Sequence, residues 1–388
     1  MLFQTFASAQ SVMLWAAFGV ALIMGAVANK TNFCTMGAIS DLVNMGDSGR
    51  FRAWVLAIAV ALAGVAVLEM LGVSKIDQAF PPYRQTQFLW AEHLLGGLLF
   101  GVGMTLASGC GNKTLLRIGG GNIKSLLVFL IIAVIAYFMV NPFPGSDKTL
   151  MSVMFYDWIR PLAINLGKPQ DLGSLLGGDN AHTARIVIGF GMALALLAGV
   201  FLAAEFRKSG ENILGGVVIG AGVVAAWYIT SAVAVSGDGE HYGLGDYVKN
   251  WDFLASSTDG KPADSRPLSP QSYTFINPMG QTLGYVASGF GKDVLTFGVM
   301  AVFGVVLGSL LWSLISRSFR IEWFVDFKDF LNHFIGAVLM GFGGVLAMGC
   351  TIGQGITGIS TLALGGFLTF FSIVAGSAIT MKIQYRLM

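Results

Sequence analysis

Apolar residues fall into long runs near 12–29, 53–71, 93–109, 123–141, 186–204, 213–235, 294–316, 333–349 and 363–382. Each run crosses, or nearly crosses, a hydrocarbon layer of about 30 Å as a helix. The pattern therefore predicts nine spanning helices. The runs that begin at 12, 93 and 333 lead into weaker segments, roughly 33–45, 110–119 and 351–361, rich in Gly, Thr, Ser, Asn and Gln. Each reads as a helix, a break, and a shorter half-helix still at membrane depth. Irregular backbone is tolerated there only where protein buries it or a cavity is lined by it.

Polar positions orient the spans. Arg50 and Arg52, Arg207 and Lys208, and Arg317, Arg320 and Lys328 lie in short connections, and Lys382 and Arg386 end the chain. Basic short loops mark the cytoplasmic side. This places the loops 142–184 and 236–276 and the N-terminus outside and the C-terminus in the cytoplasm, which nine crossings satisfy. No Lys or Arg precedes Lys30, so the N-terminus lacks the basic region of a signal peptide and reads as mature sequence.

Residues 93–110 (HLLGGLLFGVGMTLASGC) and 333–350 (HFIGAVLMGFGGVLAMGC) share nine of eighteen positions at an offset of 240. The two copies cross in opposite directions, the inverted repeat of many transporters. By the same logic 12–45 should match 213–235 followed by 277–289, with Asn277-Pro278 starting a fourth half-helix, since Pro suits a first helical turn. The expected fold is an all-α polytopic membrane protein of about nine transmembrane helices and four half-helices. Residues 1–141 form the first repeat, 142–212 an outer loop and a linking helix, and 213–388 the second repeat. Gly216, Gly220, Gly222, Gly304 and Gly308 are expected to let helices approach closely.

Composition narrows the chemistry. Only 11% of the 388 residues are charged, with a net charge of +2 and a mean hydropathy of +0.71. That excludes a soluble globular enzyme, a disordered or collagen-like chain and a nucleic-acid partner. The three cysteines form no C-x-x-C pair, so neither a disulfide framework nor a zinc site is expected. No ATP-binding or cofactor motif is evident.

Cys34, Cys110 and Cys350 instead open the three weak segments, in NFCTMGAISD, SGCGNKTLL and MGCTIGQGI. Free N–H groups and the positive end of a helix dipole suit an anion, and thiols, soft and weakly donating, suit one that carries sulfur. Thr35, Asn112, Thr351 and Gln354 add donors for oxyanion oxygens, while Gly109, Gly111, Gly349 and Gly353 shape the breaks. Lys113, with Arg117, either draws an anion or snorkels to the interface. A helix N-terminus favours thiolate and apolar burial favours thiol; weak S–H contacts to a dianion need the neutral form. His93, His333, Glu69 and Glu92 read as helix-terminal or interfacial, Asp41 as a packing residue, and Trp54, Trp90 and Trp227 as belt or core aromatics.

The stretches NFCTMGAISD at 32–41, LASGCGN at 106–112 and FRIE…MGFGGVLAMGCTIGQG from 319 to 355 resemble the YeeE/YedE family of bacterial inner-membrane proteins over essentially the whole chain. The resemblance implies an hourglass of spanning helices with Cys34, Cys110 and Cys350 along a narrow path. It implies a permease for thiosulfate or a similar sulfur-containing anion, with a small cytoplasmic sulfur-carrier protein as receiver. Other members are linked to other sulfur or selenium species. Thiosulfate-type members often carry Arg where this chain has Asn32 and Ser40. The competing reading is a membrane sulfurtransferase with a persulfide on Cys110 or Cys350, and a partner-dependent delivery scaffold is a third.

Overall fold

The computed structural model describes residues 1–237, 240–251 and 268–387. Among these, nine segments are long and apolar enough to cross a membrane, and the protein is an all-α polytopic membrane protein. The helices are α1 (Phe6–Lys30), α2 (Thr35–Ser40, continued by a wide turn over Asp41–Met45), α3 (Gly49–Met70), α4 (Trp90–Leu106), α5 (Gly111–Gly119) and α6 (Ile123–Val140). They continue as α7 (Ala181–Phe201), α8 (Gly210–Ala232), α9 (Ile276–Ala287), α10 (Phe297–Ile315), α11 (Phe327–Leu346), α12 (351–360) and α13 (Leu364–Leu387). Side-chain caps set several starts: Asn122 accepts from the Ser125 N–H at 2.9 Å and Asp326 from the Asp329 N–H at 2.7 Å, each satisfying an orphan donor.

The connections sort onto two faces. The first carries 46–48, 120–122, 202–209 and 316–326, tied together by Arg320 N–H to Gly120 O (3.0 Å) and Arg52 Nη1 to Gly199 O (2.7 Å). The second carries the N-terminus, 71–89, 141–171, 233–251 and 361–363. There β1 (Leu2–Phe3) pairs in parallel with β4 (Ala234–Gly237), and β2 (Gln87–Phe88) pairs antiparallel with β3 (Ile164–Asn165). A further strand, β5 (Glu240–Gly243), continues the first sheet beside β4, with Ser236 opposite His241. Of the long loop expected at 236–276, residues 238–239 and 252–267 lie outside the described residues.

The four half-helices are α2, α5, α9 and α12; α9 begins one residue before Asn277. The inversion is visible where α4 crosses α11. A Cβ on Gly96 would lie 2.6 Å from Ala347 N, and one on Gly336 would lie 2.6 Å from Ala107 N. Because 96 and 107 correspond to 336 and 347 at the offset of 240, the contact is self-complementary. Only hydrogen fits at these glycines. The same arrangement recurs where α1 meets α10 (Gly304 against Phe18 O, 2.7 Å) and α8 meets α3 (Gly216 against Ala53 O, 2.7 Å).

Glu69 and Glu92, expected at the interface, are buried and ion-paired. Arg84 reaches Glu69 at 2.6 Å and Asp77 at 3.2 Å, Arg185 joins Asp77 at 3.2 Å to Asp171 at 2.9 Å, and Arg160 pairs with Glu92 at 2.8 Å. Burial opposes ionisation of Asp171, but the Arg185 hydrogen bond, the nearby Arg84 charge and the hydrogen bonds from Ser174 together hold the carboxyl below its usual range. The partners come from distant segments, so no local pattern announces them. His93 is also interior, with Nδ1 2.8 Å from Thr369 Oγ1.

Candidate functional site

The three cysteine breaks share one backbone design. Asn32, Ser108 and Met348, each two residues before a cysteine, have φ of 49°, 57° and 56°. The next residue closes the preceding helix with a long-reach bond: Phe33 N–H to Ala28 O (3.0 Å), Gly109 N–H to Met104 O (2.8 Å) and Gly349 N–H to Gly344 O (2.8 Å). This is the left-handed helix end that normally selects Gly or Asn. At Ser108 and Met348 the conformation costs about 1–2 kcal/mol each. Each cysteine then opens the half-helix: Ala38, Thr114 and Gln354 N–H groups bond the carbonyls of Cys34, Cys110 and Cys350 at 3.0, 2.9 and 2.8 Å.

The starts of all four half-helices converge. From there α2 and α5 run to the first face, and α9 and α12 to the second. The Cys34 and Cys110 side chains interact, Cys110 faces Thr351, and Cys350 faces Thr274 and the Phe275 N–H. Cys350 Sγ also accepts from the Gly353 N–H at 3.4 Å. A Cβ at Gly111 would meet Ile276 Cδ1 at 2.9 Å, so α5 and α9 start side by side. All three cysteines are buried and free. Four positive helix ends thus face one enclosed point from opposite directions, with thiols and hydroxyls between them, an arrangement able to hold an anion without a formal countercharge.

Most of the residues expected from sequence are here. Thr35 and Thr351 are 2% and 0% exposed, and both hydroxyls lack a hydrogen-bond partner. Asn112 is buried in the first turn of α5. Gly109 and Gly349 form the bends, and Gly111 and Gly353 follow the cysteines. Gln354 Nε2 donates to Ala347 O at 2.7 Å, tying α12 to the end of α11, and its Oε1 has no hydrogen-bond partner.

Lys113 is half-buried, and its Nζ donates to Oδ1 of the exposed Asn32 at 3.4 Å. Arg117 lies beside it, its Nη1 3.7 Å from where a Gly109 Cβ would be. Neither has a carboxylate partner among the described residues. Arg50 crosses Gly37 and pairs with Asp41. The first-face side of the cysteines is therefore basic.

Two stretches beside the site escaped the sequence reading. Tyr83, from the 71–89 connection, is buried and donates to Gly353 O at 2.9 Å, while Arg84 Nε donates to Thr361 O at 3.1 Å. Together they fasten α12 at both ends. The other is Thr274, whose only sequence trace is its distance from Cys350.

Comparison with known proteins finds relatives along nearly the whole chain. A family model described as sulphur transport matches residues 30–379. The chain is 24% identical over 376 residues to the thiosulfate transporter TsuA of Escherichia coli (strain K12), covering 91% of this chain and 90% of that protein. It is 22% identical over 380 residues to the thiosulfate transporter TsuA of Spirochaeta thermophila, covering 96% of this chain and all of that protein. A match of that extent, on a fold whose half-helices meet at Cys34, Cys110 and Cys350, places the chain in the sulphur transport family that includes YeeE/YedE.

Proposed function

We propose that this protein is a permease of a bacterial inner membrane for uptake of thiosulfate or a similar sulfur-containing anion, passed from Cys350 to Cys110 to Cys34. The observation that carries the reading is the meeting of four half-helix N-termini around three buried thiols. An anion's oxygens would take N–H groups and the Thr35 and Thr351 hydroxyls, and its terminal sulfur would face the thiols. Each contact is weak, and weak contacts in series are what conduction requires, since an ion must leave every station it reaches.

The first face, with Arg50, Arg52, Arg207, Lys208, Arg317 and Arg320, is assigned to the cytoplasm by its basic loops, so the N-terminus is outside and the C-terminus inside. Lys113 and Arg117 then lie on the exit side and draw the anion inward. A small cytoplasmic sulfur-carrier protein would receive the product at this face.

The test is uptake of sulfur-labelled thiosulfate by a sulfur-limited strain that depends on this protein. Uptake above background is expected, and background uptake with the protein present in the membrane overturns the substrate assignment. Intact mass after incubation with thiosulfate separates transport from a persulfide-forming sulfurtransferase. An unchanged mass is expected, and sulfur bound stably to Cys110 or Cys350 overturns the transport reading.

A further inference from the structure

Cys34 and Cys110 are 76 residues apart, and so are Thr274 and Cys350. The offset of 240 that relates Cys110 to Cys350 therefore relates Cys34 to Thr274. The aromatic before each is kept as well: Phe33 stacks on Trp54 at 4.9 Å, and Tyr273 donates to Ala17 O at 2.7 Å. Contacts follow the same rule. Cys34 interacts with Cys110, and Thr274 with Cys350. One local difference hides the equivalence. Pro278 stands where the first repeat has Ala38, and Ala38 donates the first helical bond to Cys34 O. Proline has no N–H, so the bond to Thr274 O is missing and α9 starts at Ile276.

We propose that Thr274 is a fourth binding station on the path, and the first that a sulfur oxyanion meets from the second face. Its hydroxyl and the Phe275 N–H would take the anion's oxygens while Cys350 takes its terminal sulfur. The Thr274 Oγ1 is buried without a hydrogen-bond partner, a state that normally calls for a ligand or water. Thr351, next to Cys350 in the chain and facing Cys110, is 0% exposed, and its hydroxyl is also unpartnered, so unpartnered donors continue from Thr274 towards Cys110. A narrow pocket is lined by Thr274 together with Phe80, Pro81, Gln271, Ser272 and Asn277. In the first repeat the corresponding station is a thiol next to cations; here it is a hydroxyl, and no charged side chain is among the described residues that line the pocket with it.

The inference rests on the transport reading, and its test separates the two. Thiosulfate uptake is measured for the wild type, Thr274→Val, which keeps the shape and loses the donor, and Thr274→Ser, which keeps the donor. Melting of the purified proteins in detergent is followed in parallel. The expected result is a half-saturating concentration about tenfold higher for Thr274→Val, the size of one hydrogen bond to a charged group. Thr274→Ser should stay near wild type, and all three should melt together. Wild-type uptake with an unchanged half-saturating concentration in Thr274→Val overturns the station. So does a loss that tracks a lowered melting temperature, since that marks a packing role. A wild type that neither takes up nor binds thiosulfate overturns the transport reading, and this inference with it.

Discussion

The two sides of the cysteine cluster have nearly the same backbone and different electrostatics, one basic and the other neutral. On the first-face side, α5 carries Lys113 and Arg117; at the equivalent places on the second-face side, α12 carries Gly353 and Thr357. Asp41, paired with Arg50, corresponds to Gln281, which accepts from Thr296 at 2.7 Å. Cys34 corresponds to Thr274. The inverted repeat supplies a symmetric frame of helix ends, and side chains laid on it supply polarity: neutral hydroxyls and dipoles at one end, thiols in the middle, cations at the other. A symmetric path would have no preferred direction of attraction, whereas on the path proposed above an anion would be held more strongly towards the basic end.

The largest effect that would break the comparison is on the neutral side. Arg84→Ala leaves Glu69 buried without its partner and frees Thr361 O. It should destabilise the protein by about 3–5 kcal/mol, read as a lower melting temperature and lower yield. Lys113→Gln on the basic side should leave melting unchanged.

Next is the centre of the path. Cys350→Ala and Cys110→Ala should each lower thiosulfate uptake about 10- to 100-fold, the range of a lost contact to a charged ligand. Protein level in the membrane serves as the control, and wild-type rates in either variant would contradict the shared role.

The frame itself is tested by Gly103→Ala and Gly343→Ala. Each new Cβ would fall 2.6 Å from a carbonyl oxygen of the facing helix, Gly336 O or Gly96 O. Both should cost about 1–3 kcal/mol and, being equivalent, cost the same by melting. Unequal values would mean that the crossing is less symmetric than its contacts.

The smallest effect sharpens the polarity. Combined Lys113→Gln and Arg117→Gln should slow uptake about three- to tenfold at low salt. The difference should shrink in high salt, because exposed charges are screened within about 3 Å at 1 M.

Sequence patterns gave away the breaks because each break repeats a local rule. A helix end in left-handed backbone followed two residues later by a cysteine recurs at 32–34, 108–110 and 348–350, and two of the three also share the glycine before the cysteine. Thr274 stayed hidden for the opposite reason. Its repeat partner is a different residue, and Pro278 shifts the start of its helix. The ion-pair network of Glu69, Asp77, Arg84, Asp171 and Arg185 was equally illegible, since its members lie on separate segments and only folding brings them within 3.2 Å.

The chain by itself determined that it spans a membrane, where its helices break and which residues stand at the breaks. These follow from local properties: hydropathy over about 20 residues, the backbone freedom of particular residue types, and a repeat at fixed offset. Tertiary structure decided what no window along the chain contains. It brought four helix ends to one point, set Cys34 beside Cys110 and Thr274 beside Cys350, and buried Arg84 against Glu69. Those placements depend on glycine-to-backbone contacts between helices far apart in sequence, and long-range packing leaves no local periodicity to read.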